Sequence, residues 1–211
     1  MSKEIKPIKL GVLISGNGTN LQAMIDRIQE GTLDATIELV VSSRPDAKGL
    51  KRAEKAGIQT LTLDKSIYAN PEQADLVIAT ELKQHHVEYV VMAGYMRKVH
   101  DPILAAFPNC VLNIHPALLP SFKGAHAIQD AYDYGVKVTG VTVHFANSDY
   151  DSGSIIAQRA LNVEEGWSVD ELEAHIHEIE HELYPDVIEA LAQGRVHLEP
   201  SSRRVVIDPI Q

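Results

Sequence analysis

The feature that most limits the fold is an alternation of short apolar runs with amphipathic or turn-forming segments. Apolar runs that suit buried strands occupy residues 8–14, 37–41, 60–63, 89–92 and 110–115. Helical spacing of apolar residues, or a proline at a helix start, predicts helices near 21–28, 49–55, 71–85 and 102–106. Repeated alternation of this kind predicts a parallel, doubly wound sheet with right-handed crossovers.

The pattern changes after Pro120. Strands are predicted over residues 138–145 and 155–160, and the turn-rich acidic loop between them suggests an antiparallel addition to the sheet. Ser168 and Glu171 form a capping-box pattern before a long helix that ends at Gly194, and residues 205–207 predict a last edge strand. We therefore predict one Rossmann-like α/β fold, with a mostly parallel sheet, helices on both faces and an antiparallel C-terminal addition.

Composition narrows the classes of partner. The net charge of −10 argues against nucleic acid, because phosphate backbones are bound by concentrated Lys and Arg. The longest apolar runs are too short to span a bilayer, so no membrane partner is expected. The single Cys110 excludes an intramolecular disulfide, and a reduced, cytoplasmic setting is expected. His175, His177 and His181 lie among glutamates, which predicts a solvated helix surface and no metal site.

The first candidate for ligand binding is the Ser-Gly-Asn-Gly-Thr-Asn turn at residues 15–20, between a strand and a helix. Its glycines permit positive φ and close approach of the backbone to a ligand. Thr19 or Asn20 can cap the helix, whose unpaired amides and positive dipole end suit an anion such as phosphate. The turn matches neither the dinucleotide fingerprint nor the Walker loop. Taken alone, it leaves a structural tight turn and a phosphate site both open.

The strongest candidate is Asn113-Ile114-His115-Pro116, which closes an apolar strand. Strand side chains alternate, so Asn113 and His115 share one face while Ile114 points the other way. Pro116 cannot donate the next ladder hydrogen bond, so the strand is expected to stop there. Together with Gly94 and the turn at residues 16–18, three loops are expected to converge on the carboxyl edge of the sheet, where ligands bind.

Four motifs together resemble the phosphoribosylglycinamide formyltransferases of purine synthesis. They are Ser-Gly-Asn-Gly-Thr-Asn-Leu-Gln at residues 15–22, Ala-Gly-Tyr-Met-Arg at 93–97, Asn-Ile-His-Pro-Ala-Leu-Leu-Pro at 113–120 and Asp-Ser-Gly at 151–153. The resemblance covers about residues 8–195 and implies transfer of the formyl group of 10-formyltetrahydrofolate to the amine of glycinamide ribonucleotide. The expected products are formylglycinamide ribonucleotide and tetrahydrofolate, and the reaction needs no metal.

The resemblance also implies an organisation for the chain. We expect one formyltransferase domain over residues 1–211, with a phosphate-binding half at about 8–100 and a catalytic, folate-binding half at 101–195. Residues 196–211 are expected to form a tail. The implied partners are the two small-molecule substrates, and the implied assembly is a monomer or a homodimer.

Individual roles follow from the positions that match the family. His115 resembles the general acid, Asn113 the donor to the formyl oxygen, and Asp151 the carboxylate that raises the pKa of His115 and organises a water. The other matching positions are Gly18, Thr19 and Asn20 for the substrate phosphate, Glu180 for its ribose, Met96, Arg97, Lys98, Val99, His144 and Asp151 for the folate, and Gly94, Pro116 and His126 near the site. The chain departs from the family at Ser152, usually Gly, at Ala117, usually Ser, and around Pro71, where a folate-contacting Arg is not evident.

Three alternative functions remain open at this point. A methionyl-tRNA formyltransferase shares Asn-Ile-His-Pro but resembles a longer chain, with an added nucleic-acid-binding barrel and a different first loop. A formyltetrahydrofolate hydrolase typically has an extra N-terminal domain and a His in place of Pro116. A catalytically silent nucleotide- or folate-binding module would have no need for Asn113, His115 and Asp151 together.

Overall fold

The computed structural model describes residues 6–199 and 202–210, so both ends of the predicted domain and part of its tail lie outside the described residues. Its helices and strands, in chain order, are β1 (Ile8–Ile14), α1 (Thr19–Gln29), β2 (Ala35–Ser42), α2 (Lys48–Lys55), β3 (Thr60–Thr62), α3 (Lys65–Tyr68), α4 (Pro71–Gln84), β4 (Tyr89–Met92), α5 (Asp101–Ala106), β5 (Val111–His115), α6 (Ala127–Tyr134), β6 (Val138–Phe145), β7 (Ile155–Asn162), α7 (Val169–Ala192), β8 (Val196–Leu198) and β9 (Val205–Ile207).

A seven-stranded sheet forms the centre of the fold, in the order β3-β2-β1-β4-β5-β6-β7. The first five of these strands pair in parallel, and β6 and β7 are added antiparallel. This arrangement confirms the predicted fold class, including the antiparallel addition. The predicted capping box is also present at the start of α7, where Ser168 and Glu171 bond each other's backbone.

Hydrophobic side chains on both faces of the sheet explain why helices cover both. Leu10, Val12 and Ile14 of β1 belong to a core that includes buried residues of α1 and α7. Leu13, which points the opposite way, belongs to a second core that includes buried residues of α3, α4 and α5. Strands buried on both faces form near-continuous apolar runs, which is the pattern that the sequence has.

Two short elements at the edges of the fold differ from the prediction. The one-turn helix α3 and the strand β8 were not predicted, because each is too short to show a hydrophobic period. β9 forms over the predicted residues, but it pairs with β8 in a separate two-stranded sheet rather than at the edge of the large sheet. The Asp208 amide, just after β9, donates to the Arg195 carbonyl, just before β8, at 2.9 Å and extends this pairing by one hydrogen bond.

The start of α1 corrects the prediction that Thr19 or Asn20 caps this helix. α1 begins at Thr19, and Gly18 occupies the N-cap position with a left-handed φ of 71° and no side-chain cap. A Cβ on Gly18 would lie 2.7 Å from the Cα of Gly49, so the close approach of these two backbones requires glycine. The Asn20 side chain instead donates to Glu180 of α7 at 3.0 Å.

The strand order places a crevice at the carboxyl ends of β1 and β4. After β3 the chain returns to the middle of the sheet, so the connections that follow β1 and β4 leave in opposite directions. Open α/β sheets bind ligands at such a switch point. Within residues 6–199 and 202–210, no helix is both long and apolar enough to cross a membrane.

Candidate active site

A cavity of about 870 Å³ opens at this carboxyl edge. Its walls come from residues 16–20 after β1, 92–99 at and after the end of β4, and 113–116 at the end of β5. The loop residues 123–125, 146–147 and 149–151 also line it, as do His144 of β6 and Glu173, His177 and Glu180 of α7. The three loops that the sequence brought to this edge therefore line one cavity. Such a volume is in the range of small-molecule sites.

The polar side chains at the centre of the cavity are placed by the sheet. Asn113 and His115 stand at the end of β5 and line the cavity, while the Ile114 side chain packs into the core. β5 pairs antiparallel with β6, and this register puts His144 opposite Asn113. Because regular strands fix these side chains, their relative positions depend little on loop conformation.

Asp151 lies in the loop between β6 and β7 and reaches back to the end of β5. Its Oδ2 accepts a hydrogen bond from the Gly124 amide at 2.8 Å and lies 3.6 Å from His115 Nδ1. Its Oδ1 lies 3.4 Å from Asn113 Nδ2 and 3.7 Å from His144 Nε2. Asp151 adopts a left-handed φ of 46°, a conformation that Asp tolerates better than most residues.

The carboxyl of Asp151 is held in its ionised form. Burial alone would raise its pKa, because desolvation disfavours the charged carboxylate. The neighbouring imidazole of His144, the hydrogen bond from the Gly124 amide and the nearby His115 outweigh burial and lower the pKa of Asp151. A negative charge therefore faces the imidazole of His115 at neutral pH.

Both ring nitrogens of His115 face hydrogen-bond acceptors. Nε2 lies 2.7 Å from the carbonyl oxygen of Phe122, and Nδ1 faces the carboxylate of Asp151. A carbonyl oxygen can only accept, so Nε2 carries a proton. The two acceptors together fix the orientation of the imidazole ring.

The neighbouring His144 orients the amide of Asn113. Nδ1 of His144 lies 2.9 Å from the Phe145 carbonyl oxygen, which can only accept, so this nitrogen carries a proton. Nε2 is then free to accept from Asn113 Nδ2 at 3.2 Å. The NH₂ group of Asn113 therefore points toward His144 and Asp151. Its contact with Asp151 Oδ1 is the longer one, at 3.4 Å.

The opposite end of the cavity begins at the first turn of α1, where backbone amides have no partner within the helix. The buried Asn20 donates through Nδ2 to Glu180 Oε2, and its Oδ1 has no hydrogen-bond partner within the described part of the chain. His177 Nδ1 lies 2.9 Å from the same Glu180 oxygen. The hydrogen bond with Glu180 raises the pKa of His177, although burial opposes the shift.

Residues 96–99 form a third wall. Met96 is 66% exposed, whereas Val99 is buried in the core. The Arg97 guanidinium lies 4.3 Å from the centre of the Tyr68 ring and donates to the Tyr68 carbonyl at 3.0 Å. The Lys98 ammonium lies 5.7 Å from the ring centre of Tyr150. This wall therefore combines an exposed thioether with cations that rest on aromatic rings.

All the residues that the sequence proposed for the site line this cavity except His126. That residue precedes α6 and is exposed, apart from the cavity walls. His177 corrects the expectation of a solvated helix surface, because it lines the cavity, whereas His175 stacks on Trp167 with ring centres 4.4 Å apart. The residues described in the structure contain no group of three or more His, Cys, Asp and Glu placed to hold a metal.

The sequence did not indicate that the loop between β5 and α6 belongs to the site. Its Phe122 carbonyl bonds His115 and its Gly124 amide bonds Asp151, and Lys123 to Ala125 line the cavity. Backbone groups of this kind carry no residue-type signal. The one available clue was Gly124 in a loop directly after the candidate strand end, which permits its positive φ of 97°.

Comparison with known proteins shows which family the chain belongs to. Residues 8–188 match the model of the Formyl transferase family. A phosphoribosylglycinamide formyltransferase of Bacillus subtilis is 40% identical over 183 residues, which is 87% of this chain and 94% of the relative. A solved structure of glycinamide ribonucleotide transformylase 1 from Symbiobacterium toebii is 46% identical in sequence and superposes with a TM-score of 0.91. The match covers 95% of this chain and 94% of that protein.

The chain belongs to the phosphoribosylglycinamide formyltransferase family. The resemblance inferred from the four motifs is thereby confirmed, and the chain is an enzyme of the formyltransferase class. The human trifunctional purine biosynthetic protein adenosine-3 is 41% identical over 197 residues, 93% of this chain, but the chain spans only 20% of its length. Members of this family therefore occur both as chains of this size and as one part of a larger protein.

Proposed function

We propose that the chain transfers the formyl group of 10-formyltetrahydrofolate to the amine of glycinamide ribonucleotide. The observation that carries the proposal is the cluster of Asn113, His115 and Asp151 in the wall of one cavity. The start of α1, with its unpaired amides, and the segment with the exposed Met96 line the same cavity. The expected products are formylglycinamide ribonucleotide and tetrahydrofolate.

His115 is the general acid in this proposal. The Phe122 carbonyl and the Asp151 carboxylate support the imidazolium, which can donate to the nitrogen that leaves the formyl carbon. A positioned acid of this kind contributes about 10²- to 10⁴-fold in rate. Asp151 stabilises the charged ring, and the same carboxylate is proposed to organise the water that passes the proton.

Asn113 is the donor to the oxygen that becomes negative when the amine attacks. His144 takes one hydrogen of its NH₂ group, and the second has only a long contact with Asp151, so it can turn to a formyl oxygen. One preorganised donor of this type is worth about 3 to 4 kcal/mol of barrier. The support for this role is that the sheet pairing of β5 with β6 holds the amide in place before substrate arrives.

The substrates are proposed to bind at opposite ends of the cluster. The amides of Gly18, Thr19 and Asn20 face the phosphate of the ribonucleotide, since a helix start with unpaired N–H groups favours an anion. Glu180, which is 4% exposed, uses one oxygen for Asn20 and His177 and keeps the other for the ribose hydroxyls. Residues 96–99 and His144 line the folate end, near Gly94 and Pro116.

Turnover with defined acceptors tests the proposal. Tetrahydrofolate release from 10-formyltetrahydrofolate is expected only when glycinamide ribonucleotide is added. Release with methionyl-tRNA would indicate the tRNA enzyme, and release with water alone would indicate the hydrolase. Binding of either substrate without release under any condition would indicate a silent module. His115→Ala is the control that separates catalysis in this cavity from a contaminating activity.

A further inference from the structure

Ser15 is a buried hydroxyl that the proposed mechanism does not use. It is the first residue after β1, is 3% exposed, and is absent from the cavity lining. Its Oγ accepts a hydrogen bond from the backbone amide of Met96 at 2.8 Å, and lies 2.6 Å from Oγ of Ser43. One side chain therefore joins the loops that follow three neighbouring strands, β2, β1 and β4.

The two backbone segments joined by Ser15 belong to different ends of the cavity. Ser15 is covalently followed by the 16–20 turn, whose amides face the proposed phosphate. Met96 opens residues 96–99, the wall proposed for the folate. Because the Met96 side chain is 66% exposed, its own packing does little to place this part of the wall. The hydrogen bond to Ser15 is therefore the contact that holds the Met96 amide.

The rest of the 96–99 wall has separate anchors. Arg97 is held by the ring and carbonyl of Tyr68. His100, just beyond the wall, donates its amide to the buried Asp75 at 2.6 Å. These anchors connect the wall to α3 and α4, whereas the contact with Ser15 connects it to the phosphate turn. Ser15 therefore differs from the other anchors in linking the two proposed substrate subsites.

We propose that Ser15 is a positioning residue that couples the ribonucleotide subsite to the folate subsite, through the hydrogen bond from the Met96 amide to its Oγ. The proposal rests on the proposed function for the identity of the two ligands. When the ribonucleotide orders the 16–20 turn, Ser15 is held in place, and the Met96 amide with it. The folate then meets a wall that is already ordered, so less conformational freedom is lost when it binds.

Removing the hydroxyl should damage the folate end although Ser15 belongs to the phosphate motif. In Ser15→Ala the Met96 amide loses its acceptor, and the start of the 96–99 wall loses its connection to the turn. We expect the KM for 10-formyltetrahydrofolate to rise about tenfold, which corresponds to about 1.4 kcal/mol. Binding of glycinamide ribonucleotide in the absence of folate should weaken less than about threefold, since the amides of the turn remain, whereas at saturating folate it should weaken by a factor similar to that of the folate, because coupling between two sites is reciprocal.

Ser43→Ala is the matched control, because it removes a hydroxyl of the same size from the same contact. Oγ of Ser15 can still accept from Met96 in this variant, so the folate KM should change less than in Ser15→Ala. An unchanged folate KM in Ser15→Ala would overturn the proposal. Ribonucleotide binding in the absence of folate that weakens as much as the folate KM rises would overturn it as well, because that result would place the damage in the turn itself.

Hydrogen exchange of the unmodified protein gives a second test that does not depend on a variant folding. Glycinamide ribonucleotide alone should slow amide exchange in residues 16–20 and also at residues 94–99. Protection of residues 16–20 alone would refute the coupling and leave the proposed function intact. No protection at either segment, with no turnover, would refute the proposed function and the coupling with it.

Discussion

The two proposed subsites of the cavity are built by different means. At the start of α1 the proposed binding groups are backbone amides within one turn, where the backbones of Gly18 and Gly49 approach closely. At the end of β5 the groups are side chains, and Asn113 and Asp151, which contact each other, are 38 residues apart in the chain. The helix start is thus a local feature, whereas the catalytic cluster exists only after β5, β6 and two loops have assembled.

This difference predicts how substitutions will separate the two ends. Side-chain changes in the cluster should lower kcat and largely spare substrate binding, because the lost interactions form mainly in the transition state. Changes to the α1 turn should instead raise the KM of one substrate. The comparison fails if the two kinds of substitution give the same kinetic signature.

The largest effect is expected for His115→Ala. Loss of the imidazole removes the proposed acid, so kcat should fall about 10²- to 10⁴-fold while both KM values change little. Steady-state kinetics with each substrate varied in turn provide the measurement. His197→Ala, which removes an exposed histidine of β8, is the control for loss of a histidine. An equal loss of kcat in both variants would remove His115 from the mechanism.

Asp151→Asn should have the next largest effect. Asn also tolerates a left-handed φ and can still accept from the Gly124 amide, so the loop should keep its conformation. The imidazolium loses its charged partner, and kcat should fall about 10²-fold. The pH–rate profile should shift to lower pH on its alkaline side, because the charged ring is less stabilised. If Asp151→Asn has the same rate and profile as the exposed-site control Asp133→Asn, Asp151 is only a loop residue.

The same variant has an expected signature in stability. The pKa of Asp151 is lowered in the folded chain, so its carboxylate contributes stability above its ordinary pKa of about 3.9. That contribution is lost as pH falls through the lowered value. In urea, the difference in unfolding free energy between the unmodified chain and Asp151→Asn should therefore be present at pH 7 and shrink below about pH 4. A difference that grows on acidification would mean that the carboxyl is not stabilised as proposed.

Thr19→Pro tests the backbone end of the comparison. Thr19 is the first residue of α1, where proline is tolerated by the helix but removes one amide donor. Proline also disfavours the left-handed conformation of the preceding Gly18. We expect the KM for glycinamide ribonucleotide to rise at least about tenfold, because roughly one charge-assisted hydrogen bond to the phosphate is lost. Thr19→Ala keeps the amide and should leave this KM nearly unchanged; equal changes in both substrates' KM values for Thr19→Pro would argue against a phosphate site here.

The same contrast explains what the sequence could predict. Strand alternation and a terminal proline placed Asn113 and His115 on one face at a sheet edge, and the pairing of β5 with β6 confirms that geometry. The N-cap of α1 was predicted wrongly, because the need for glycine at position 18 arises from Gly49, a distant residue. The contacts of Phe122 and Gly124 could not be predicted either, since every residue has a carbonyl and nearly every one has an amide. Sequence thus specified which side chains meet, and only the folded chain specified which backbone groups hold them.

The smallest effect is expected at His177, which lies at the α1 end but outside the backbone contacts. The hydrogen bond with Glu180 raises the pKa of His177. Two other groups face the ring: Glu173 Oε1 lies 3.4 Å from Nε2, and the ring of His181 stacks with its centre 6.2 Å away. A raised folded-state pKa contributes stability that is complete below the ordinary value of about 6.5 and is lost as pH rises through the folded value. The difference in unfolding free energy between the unmodified chain and His177→Gln should therefore be larger at pH 5.5 than at pH 8.5. Because the side chain is 39% exposed, solvent screening should limit this difference to within about 1 kcal/mol.

His175→Gln, two residues earlier on the same helix and away from the cavity, is the matched control. An equally large pH dependence in that control would assign the effect to the helix surface and not to the pair that His177 makes with Glu180.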